Sequence, residues 1–565
     1  MNLFKLSTTL SSLVLSGGIL YTYTTGNVYS GLSYSVLVAA AMLLFSAWYS
    51  SDGPTSSITP YVASIVALAV LYRTYLFSYP MGLIGTDPYT YAYQIERTMR
   101  AGSVDAIQLS FYSDASAFIS FSAMFGLMSG LPAPETLIIY PAIVGTVIVL
   151  AAVVLTTYVV PGRGLREGVI AGIIATVATA TIHHAYVPVA QTLAVVLWGF
   201  FVFLSVRYYE FRSKRAFLLA VLALIALVST HKLPLLIVFA TLATFVSFTG
   251  IREVARRRRQ RKFTRLSRTH RFGLTLTLLS AMFLYFQWAY VTDFIIAVVS
   301  TATAVFSTGT SVSPPLATPT AAVEPQSEAV GILLRRAHGL VLLPIGGLAW
   351  LFVLYDRRTV PAALILLSAS AASIGFLVLS AFNPGTTSTS SPLRYLFFVE
   401  PVLIPIVAAV LGRVSVRRWA GVLSLALVVV LLISQVYSVP AIPDHPGGPR
   451  EYLTTQEIEG KEFGYTHAAG PIYADWYLTV AGPQQGTNID DPQQYRSLEG
   501  QLLNGTVAGR GYEYIVLRTN VDIYRTKIGL WQLTWNPEAT LDESYSRVYA
   551  NGDLSLYANA SASTN

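Results

Sequence analysis

The chain has 565 residues, of which 53% are hydrophobic and only 12% carry a charged side chain. A soluble domain has about 25% charged residues, so roughly half of the usual charge is missing. Because cysteine is absent, disulfides, thiolate metal sites and cysteine nucleophiles are excluded. The mean hydropathy of +0.55 argues against a wholly soluble protein and favours an integral membrane protein.

Apolar stretches long enough to cross a membrane recur along most of the chain. A hydrocarbon core of ~30 Å takes about 20 apolar residues per helix. We therefore predict an all-α polytopic membrane domain over residues 1–437, with two tight hairpins that turn at His183–Tyr186 and at Ser229–Lys232. The roughly thirteen windows that meet the length requirement are 8–24, 32–49, 59–79, 137–160, 168–186, 188–206, 216–230, 233–250, 272–291, 338–355, 359–381, 395–411 and 419–437.

The loops between these windows divide by charge. Arg and Lys are concentrated in alternate loops, and Arg256–Arg259 form the densest run. Since cytoplasmic loops carry the Lys and Arg excess, we predict a multi-pass plasma-membrane protein with a cytoplasmic N-terminus and an extracytoplasmic C-terminus. The net charge of +8 is then explained by membrane orientation, and we expect no nucleic-acid partner. The predicted cytoplasmic loops are 161–167, 207–215, 251–271, 356–358 and 412–418.

The last part of the chain has a different composition. Residues 441–565 contain 15 Asp and Glu against 8 Lys and Arg. We predict a small C-terminal α/β extracytoplasmic domain over 438–565. Thr454 and Glu457 have the spacing of a capping box that opens a helix, and Asn551-Gly552 is a strong hairpin signal. Strands are predicted at Pro471–Tyr473, Tyr514–Leu517, Arg547–Tyr549 and Leu554–Tyr557.

Three long loops, 80–136, 292–337 and 382–394, fall on the predicted outer side. The first has amphipathic helical character at Tyr91–Arg100 and Ser113–Leu127, and the second is rich in Thr, Ser, Ala and Pro, which is typical of a flexible loop. Function often resides on loops that a rigid scaffold holds. We therefore expect the chemistry of the protein on the outer face.

Asp87 is the first candidate residue, because it follows the third window directly. One interpretation is that Asp87, with Pro88 after it, caps the next helix, since Asp and Pro are favoured at helix starts. The other is a general base or a metal ligand at the membrane surface. Residue type and spacing alone leave both interpretations open.

Arg394 is the second candidate residue, because it lies at the outer end of a window and departs from the positive-inside pattern. It is either a snorkelling anchor or a phosphate-binding residue, for which the guanidinium fork is well suited. The adjacent His183 and His184 are interpreted as a polar turn, because neighbouring side chains diverge and one ion would need further ligands. Other candidate residues on this face are Lys232, Arg335, Tyr89, Asp114, His231 and Tyr395.

These features together resemble the GT-C superfamily of membrane glycosyltransferases, which includes protein mannosyltransferases and oligosaccharyltransferases. Gly85–Tyr89, with the sequence Gly-Thr-Asp-Pro-Tyr, is similar to the acidic first loop of that family. Pro392–Tyr395 looks like its late Arg-Tyr segment, and Val548–Gly552 is similar to the C-terminal ends of archaeal members. The resemblance covers most of residues 59–437 as topology.

The resemblance implies an inverting hexosyltransferase that moves a sugar from a polyprenyl (dolichyl) phosphate to a glycan or glycoprotein acceptor. Asp87 would be the catalytic base, and Arg394, helped by Lys232 or Arg335, would bind the donor phosphate. The chain departs from the family pattern in lacking a Trp-Trp-Asp-Tyr-Gly motif, in its single first-loop acid and in His183-His184 where acidic metal ligands are expected. The acceptor class and the need for Mg²⁺ or Mn²⁺ therefore stay open.

Two other classes of function remain compatible with the sequence. A polytopic transporter or a flippase of lipid-linked glycans would carry charged or broken segments at mid-membrane. A noncatalytic scaffold would have no cavity between the Asp87 loop and Arg394. A polysaccharide polymerase or ligase is a further variant of the enzyme class.

Overall fold

The computed structural model describes most of the chain, and all structural statements concern that part. The described residues are 3–25, 34–43, 59–78, 82–109, 112, 115–159, 165–260, 268–291, 319–323, 329–355, 363–382, 392–413, 417–437, 450–481, 495–521, 523–526 and 529–559. Among the candidate residues, Asp114 lies outside these ranges.

Each of the thirteen predicted windows overlaps a helix. The amphipathic segments of the first outer loop also form helices, as predicted. In chain order the helices are α1 (Leu3–Thr25), α2 (Tyr34–Leu43), α3 (Thr59–Ser78), α4 (Thr86–Ala101), α5 (Ala117–Ser129), α6 (Ala133–Thr136), α7 (Ile139–Val159), α8 (Leu165–Thr176), α9 (Thr179–Tyr186), α10 (Ala190–Phe211), α11 (Lys214–Val228), α12 (Lys232–Gln260), α13 (Arg268–Phe286), α14 (Ala329–Tyr355), α15 (Ala363–Phe382), α16 (Pro392–Arg413) and α17 (Arg417–Val436).

Several of these helices can cross a membrane by their length and composition. In the described ranges, seven helices meet that requirement, and α8 with α9 makes an eighth if the bent pair is one span. The chain is therefore a multi-pass membrane protein, while the count of thirteen spans stays a prediction. Helix α16 lies at the centre, since 83% of its apolar window is buried inside the protein.

One predicted window proves to be broken. The expected continuous helix over 168–186 divides into α8 and α9, which are bent by 49° at Val177 and Ala178. The predicted turn at His183–Tyr186 is also wrong, because these residues form the last turn of α9 and the connection follows at Val187–Val189. The second predicted hairpin is confirmed, since α11 ends at Val228 and α12 begins at Lys232.

Two buried charged residues explain why the break is tolerated. Arg73 of α3 donates hydrogen bonds to the carbonyl oxygens of Ala175 (2.8 Å) and Thr176 (3.1 Å), at the end of α8. Glu400 of α16 accepts the N–H groups of Ala180 (3.0 Å) and Thr181 (2.8 Å), at the start of α9. Because a helix end leaves such groups without intrahelical partners, the two side chains replace the missing backbone hydrogen bonds.

The C-terminal part contains the predicted helix α18 (Thr455–His467), which opens with a complete Thr454–Glu457 capping box. Its main sheet has the strand order β3-β2-β4-β8-β7, with β2 parallel to both neighbours and β8 antiparallel to both of its own. The four predicted strands are confirmed as β2 (Ile472–Ala474), β4 (Tyr514–Arg518), β7 (Ser546–Ala550) and β8 (Leu554–Ala558). The sequence did not indicate β3 (Tyr495–Ser497), β5 (Ile523–Thr526) and β6 (Gly529–Leu533), nor the short helices α19 (Trp476–Val480), α20 (Glu499–Asn504) and α21 (Pro537–Ser544).

The loop 292–337, predicted to be outward-facing and flexible, contains a strand. Its residues Ala322–Val323 form strand β1, which pairs antiparallel with β6 and completes a second sheet of order β1-β6-β5. The local sequence, which is polar and contains Pro, favours a flexible loop. Pairing with a strand more than 200 residues away overrides this local preference. Most of the rest of this loop lies outside the described residues.

Candidate active site

Asp87 lies in the first turn of α4, where Gly85 occupies the N-cap position without any side-chain capping hydrogen bond. The interpretation of Asp87 as the capping residue is therefore wrong. Its carboxylate is 57% exposed and lies 3.8 Å from the guanidinium of Arg394. The structure thus brings together the two residues on which the sequence analysis depended most.

A hydrogen bond to its backbone carbonyl fixes the position of Arg394. It lies in the first turn of α16, and its carbonyl oxygen accepts a hydrogen bond of 2.7 Å from the side chain of Gln191, in the first turn of α10. Gln191 is only 2% exposed, so this contact is fixed by packing. The first turns of α4, α10 and α16 therefore meet at one end of the helical domain, which we call the site face.

Lys232 and His231 approach the same place from the start of α12. Both lie within electrostatic range of Arg394, and the N–H of Ala117 donates to the carbonyl of Ser229 (2.9 Å), which ties this hairpin to α5. Burial, with Arg394 and Lys232 nearby, lowers the pKa of His231 to about 3. His231 is therefore neutral near neutral pH, and Lys232 is the residue of this hairpin that adds positive charge.

The two histidines of α9 have different surroundings. The ring of His184 is buried and stacks on Phe397 of α16, with ring centres 4.3 Å apart, which is a packing role. His183 contacts the hydroxyl of Tyr186 (2.9 Å) and lies within electrostatic range of Arg394 and Arg525. The structure thus places His183 near the site and His184 beneath it.

The described residues contain no group of three or more His, Asp or Glu side chains that could hold a metal ion. Near Asp87 the charged neighbours include the cations Arg394 and Arg525, which disfavour another positive charge. A role of Mg²⁺ or Mn²⁺ stays a prediction.

The remaining predicted residues are placed around this centre. Tyr395 stacks on Phe376 of α15, and Tyr89 is buried beneath the Asp87 loop, facing the C-terminal domain. Arg335 lies on α14, where its carbonyl oxygen contacts Ser434 of α17 (2.9 Å). A phosphate-binding role of Arg335 stays a prediction, as do the roles of Tyr89 and Tyr395.

The sequence analysis did not predict a cluster of aromatic rings beside Asp87. Tyr91 makes edge contacts with Tyr112 and Phe118, at ring-centre distances of 5.3 and 5.0 Å. Burial raises the pKa of Tyr112 to about 12, and both Asp87 and Arg394 lie within electrostatic range of its hydroxyl. Tyr91 and Phe118 are only 7% and 0% exposed, so these rings form a buried cluster that packs α4 against α5 beside Asp87.

The C-terminal part of the chain also contacts the start of α4, and the sequence analysis did not predict this contact. The N–H of Gly85 donates to the carbonyl oxygen of Glu451 at 2.6 Å. The side chain of Glu451 forms an ion pair with Arg525 of β5. These contacts couple the position of Asp87 to the C-terminal domain.

Gly85 is expected to be essential for placing Asp87. Its φ of 83° and ψ of 170° are open to glycine and strained for other residues, at a cost of about 1–3 kcal/mol. A Cβ would meet only ordinary contacts, the nearest at 3.4 Å, so Gly85→Ala should act through the backbone. We expect a lower unfolding temperature and a loss of activity of up to about 100-fold, since a misplacement of ~1 Å has that effect.

The matched control is Gly102→Ala, at the other end of α4. Gly102 also has a positive φ, of 64°, and open space around it, so its substitution is strained as well. We expect this variant to unfold at a lower temperature but to keep its catalytic rate. Equal losses of activity in the two variants would show that Gly85 acts only through stability.

No family model matches the chain, and no curated protein is significantly similar to it. Among solved structures, the apo oligosaccharyltransferase of Archaeoglobus fulgidus aligns with 81% of this chain and 69% of its own, at 14% identity and a TM-score of 0.49. ArnT from Cupriavidus metallidurans, bound to undecaprenyl phosphate, aligns with 89% of this chain and 99% of its own, at 12% identity and a TM-score of 0.49. At TM-scores below 0.5, this similarity assigns no donor, acceptor or residue role to the chain.

Proposed function

We propose that the chain is a membrane glycosyltransferase that moves a sugar from a polyprenyl phosphate to a hydroxyl acceptor at the extracytoplasmic surface. The observation that carries the proposal is the accessible Asp87–Arg394 pair, 3.8 Å apart, at the end of a membrane-spanning bundle. When the donor enters between them and separates the pair, a carboxylate and a guanidinium can act on the two ends of one displacement. The lipid chain of the donor would lie in the bilayer while its phosphate reaches the site face.

The proposed reaction is a single displacement. Asp87 accepts the proton of the acceptor hydroxyl as the oxygen attacks the anomeric carbon. The bond from that carbon to the phosphate oxygen breaks, and its electron pair leaves with the polyprenyl phosphate, whose charge Arg394 stabilises. Attack and departure on opposite sides of the carbon invert its configuration. A phosphate that binds Arg394 also competes with Asp87 for the guanidinium and so frees the carboxylate to act as a base.

The charges of the described site agree with this donor class. Arg394 and Lys232 contribute two positive charges against one negative charge on Asp87, and the charge of Arg525 is offset by its ion pair with Glu451, which leaves a net charge of one positive. A sugar linked to a lipid by one phosphodiester carries one negative charge. The first turns of α10 and α16 add the positive ends of two helix dipoles. The site is thus suited to a singly charged donor headgroup.

Replacing Arg394 tests the phosphate-binding role. We expect Arg394→Ala to raise the KM for dolichyl phosphate mannose, a representative donor, by about tenfold or more, because a hydrogen bond to a charged group is worth about 1.5–3 kcal/mol. Arg394→Lys should recover part of the affinity. The control is Arg413→Ala at the opposite end of the same helix, where Arg413 donates to the carbonyl of Val159 (3.3 Å). An unchanged KM in Arg394→Ala would contradict this role.

A transporter is the second candidate function, because the broken pair α8–α9 resembles the discontinuous helices that form ion and substrate sites in transporters. In such sites the free helix ends face the cargo. Here Arg73 and Glu400, both 0% exposed, occupy those ends. The break is therefore accounted for by contacts within the protein, and the enzyme is the better-supported function.

A further inference from the structure

The C-terminal domain places a cation of its own near Asp87. Arg525 lies on β5, and its side chain, 35% exposed, forms an ion pair with Glu451. The backbone carbonyl of Glu451 accepts the Gly85 N–H at 2.6 Å, two residues before Asp87. Glu451 therefore connects Arg525 to Gly85, at the start of the helix that carries Asp87.

The electrostatic interactions of Arg525 also indicate that it lies near Asp87. Burial alone would lower the pKa of Arg525, but the negative charges of Glu451 and Asp87 raise it above its ordinary value. The charge of Arg525 also reaches His183, at the end of α9. Asp87 thus lies within the influence of two guanidinium groups, Arg394 from the helical domain and Arg525 from the C-terminal domain.

We propose that Arg525 is a second donor-binding residue, so that the phosphate of the lipid-linked sugar is held between a guanidinium of each domain. The inference rests on the proposed function. A phosphate offers several oxygens in different directions, and guanidinium forks on two sides satisfy more of them than a fork on one side. The carboxylate of Glu451 holds the Arg525 side chain, and a phosphate competes with Glu451 for it.

The alternative is that Arg525 only fastens the C-terminal domain to the Asp87 loop through Glu451. The two roles make different predictions for Glu451→Gln. This variant keeps the backbone carbonyl that binds Gly85 but removes the carboxylate that competes with a phosphate. If Arg525 binds donor, Glu451→Gln should bind at least as tightly as the wild type; if Arg525 is only a fastening, Glu451→Gln and Arg525→Ala should be equally impaired.

The experiment measures the affinity of the full-length protein, in nanodiscs of neutral lipid, for dolichyl phosphate. We expect Arg525→Ala to weaken binding by about tenfold or more, Arg525→Lys to recover part of it, and Glu451→Gln to bind at least as tightly as the wild type. The matched control is Arg547→Ala, in the same domain, where Arg547 pairs with Asp542 at 2.7 Å; its affinity should not change.

Two results would overturn the inference: equal losses in Arg525→Ala and Glu451→Gln, or wild-type affinity in Arg525→Ala. A parallel Arg394→Ala measurement separates the two proposals. If Arg394→Ala loses binding while Arg525→Ala does not, only the role of Arg525 fails. If the wild-type protein does not bind dolichyl phosphate, the proposed function fails as well.

Discussion

Replacing Asp87 by Asn should lower kcat by about 10²- to 10⁴-fold, the usual contribution of a general base. Asn has nearly the same shape as Asp but cannot accept the acceptor proton. Because the carboxylate is 57% exposed, the substitution should change the free energy of unfolding by no more than about 0.5 kcal/mol. The KM for the donor should not rise, since Asp87 would no longer compete with the phosphate for Arg394. Steady-state kinetics on purified protein measures both quantities.

The control for this variant is Glu96→Gln on the same helix. Glu96 lies in the half of α4 away from Asp87 and pairs with Arg100, one helical turn further on, at 2.5 Å. We therefore expect the loss of its charge to leave kcat unchanged. A kcat of Asp87→Asn within about twofold of the wild type would remove Asp87 from the catalytic step. A raised KM with an unchanged kcat would instead assign it to binding.

Removing either charge at the break between α8 and α9 should strongly destabilise the protein. Arg73 and Glu400 are both fully buried, and helix rise places each roughly 8–9 Å below the site face. The two opposite charges interact across the break, and removing one of two such buried charges costs about 3–5 kcal/mol, because the other stays buried without compensation. We expect this loss for Arg73→Met and for Glu400→Met, measured as the free energy of unfolding in bicelles.

The double variant tests whether the two charges act together. Residues that compensate each other show non-additive losses, so Arg73→Met/Glu400→Met should be less destabilised than the two single losses added. The exposed Arg336 of α14 provides the control, since Arg336→Met should unfold like the wild type. Single variants within about 1 kcal/mol of the wild type, or fully additive losses, would contradict the account of the break.

The helical architecture could be predicted because membrane burial imposes a simple rule on composition. Apolar windows of the right length located the helices, and capping and turn chemistry located α18 and the β7–β8 hairpin. The break at Val177 and Ala178 escaped prediction, because those residues are apolar and the groups that stabilise it, Arg73 and Glu400, lie about 100 and 220 positions away. The sequence did contain one indication of the break, because Arg73 and Glu400 are charged residues inside apolar windows.

The site was predictable in part for a related reason. Asp87 and Arg394 stood out because a charge at the membrane surface needs an explanation, and the structure brings them within 3.8 Å. Gln191, Tyr112 and Arg525 carried no comparable signal, since polar and aromatic residues at helix starts, in loops and on strands are common. Only the folded arrangement shows that Gln191 holds Arg394 and that Arg525 comes from the C-terminal domain.

The most direct test is to incubate the purified protein, reconstituted in liposomes, with dolichyl phosphate mannose and an oligosaccharide acceptor, and to measure the products by mass spectrometry and their anomeric configuration by NMR. We expect equal amounts of free dolichyl phosphate and of mannosylated acceptor with inverted configuration, and formation of both products about 10²- to 10⁴-fold more slowly with Asp87→Asn. Donor that crosses the membrane without cleavage would indicate a transporter. Equal product formation by the wild type and Asp87→Asn would contradict the proposed catalytic site.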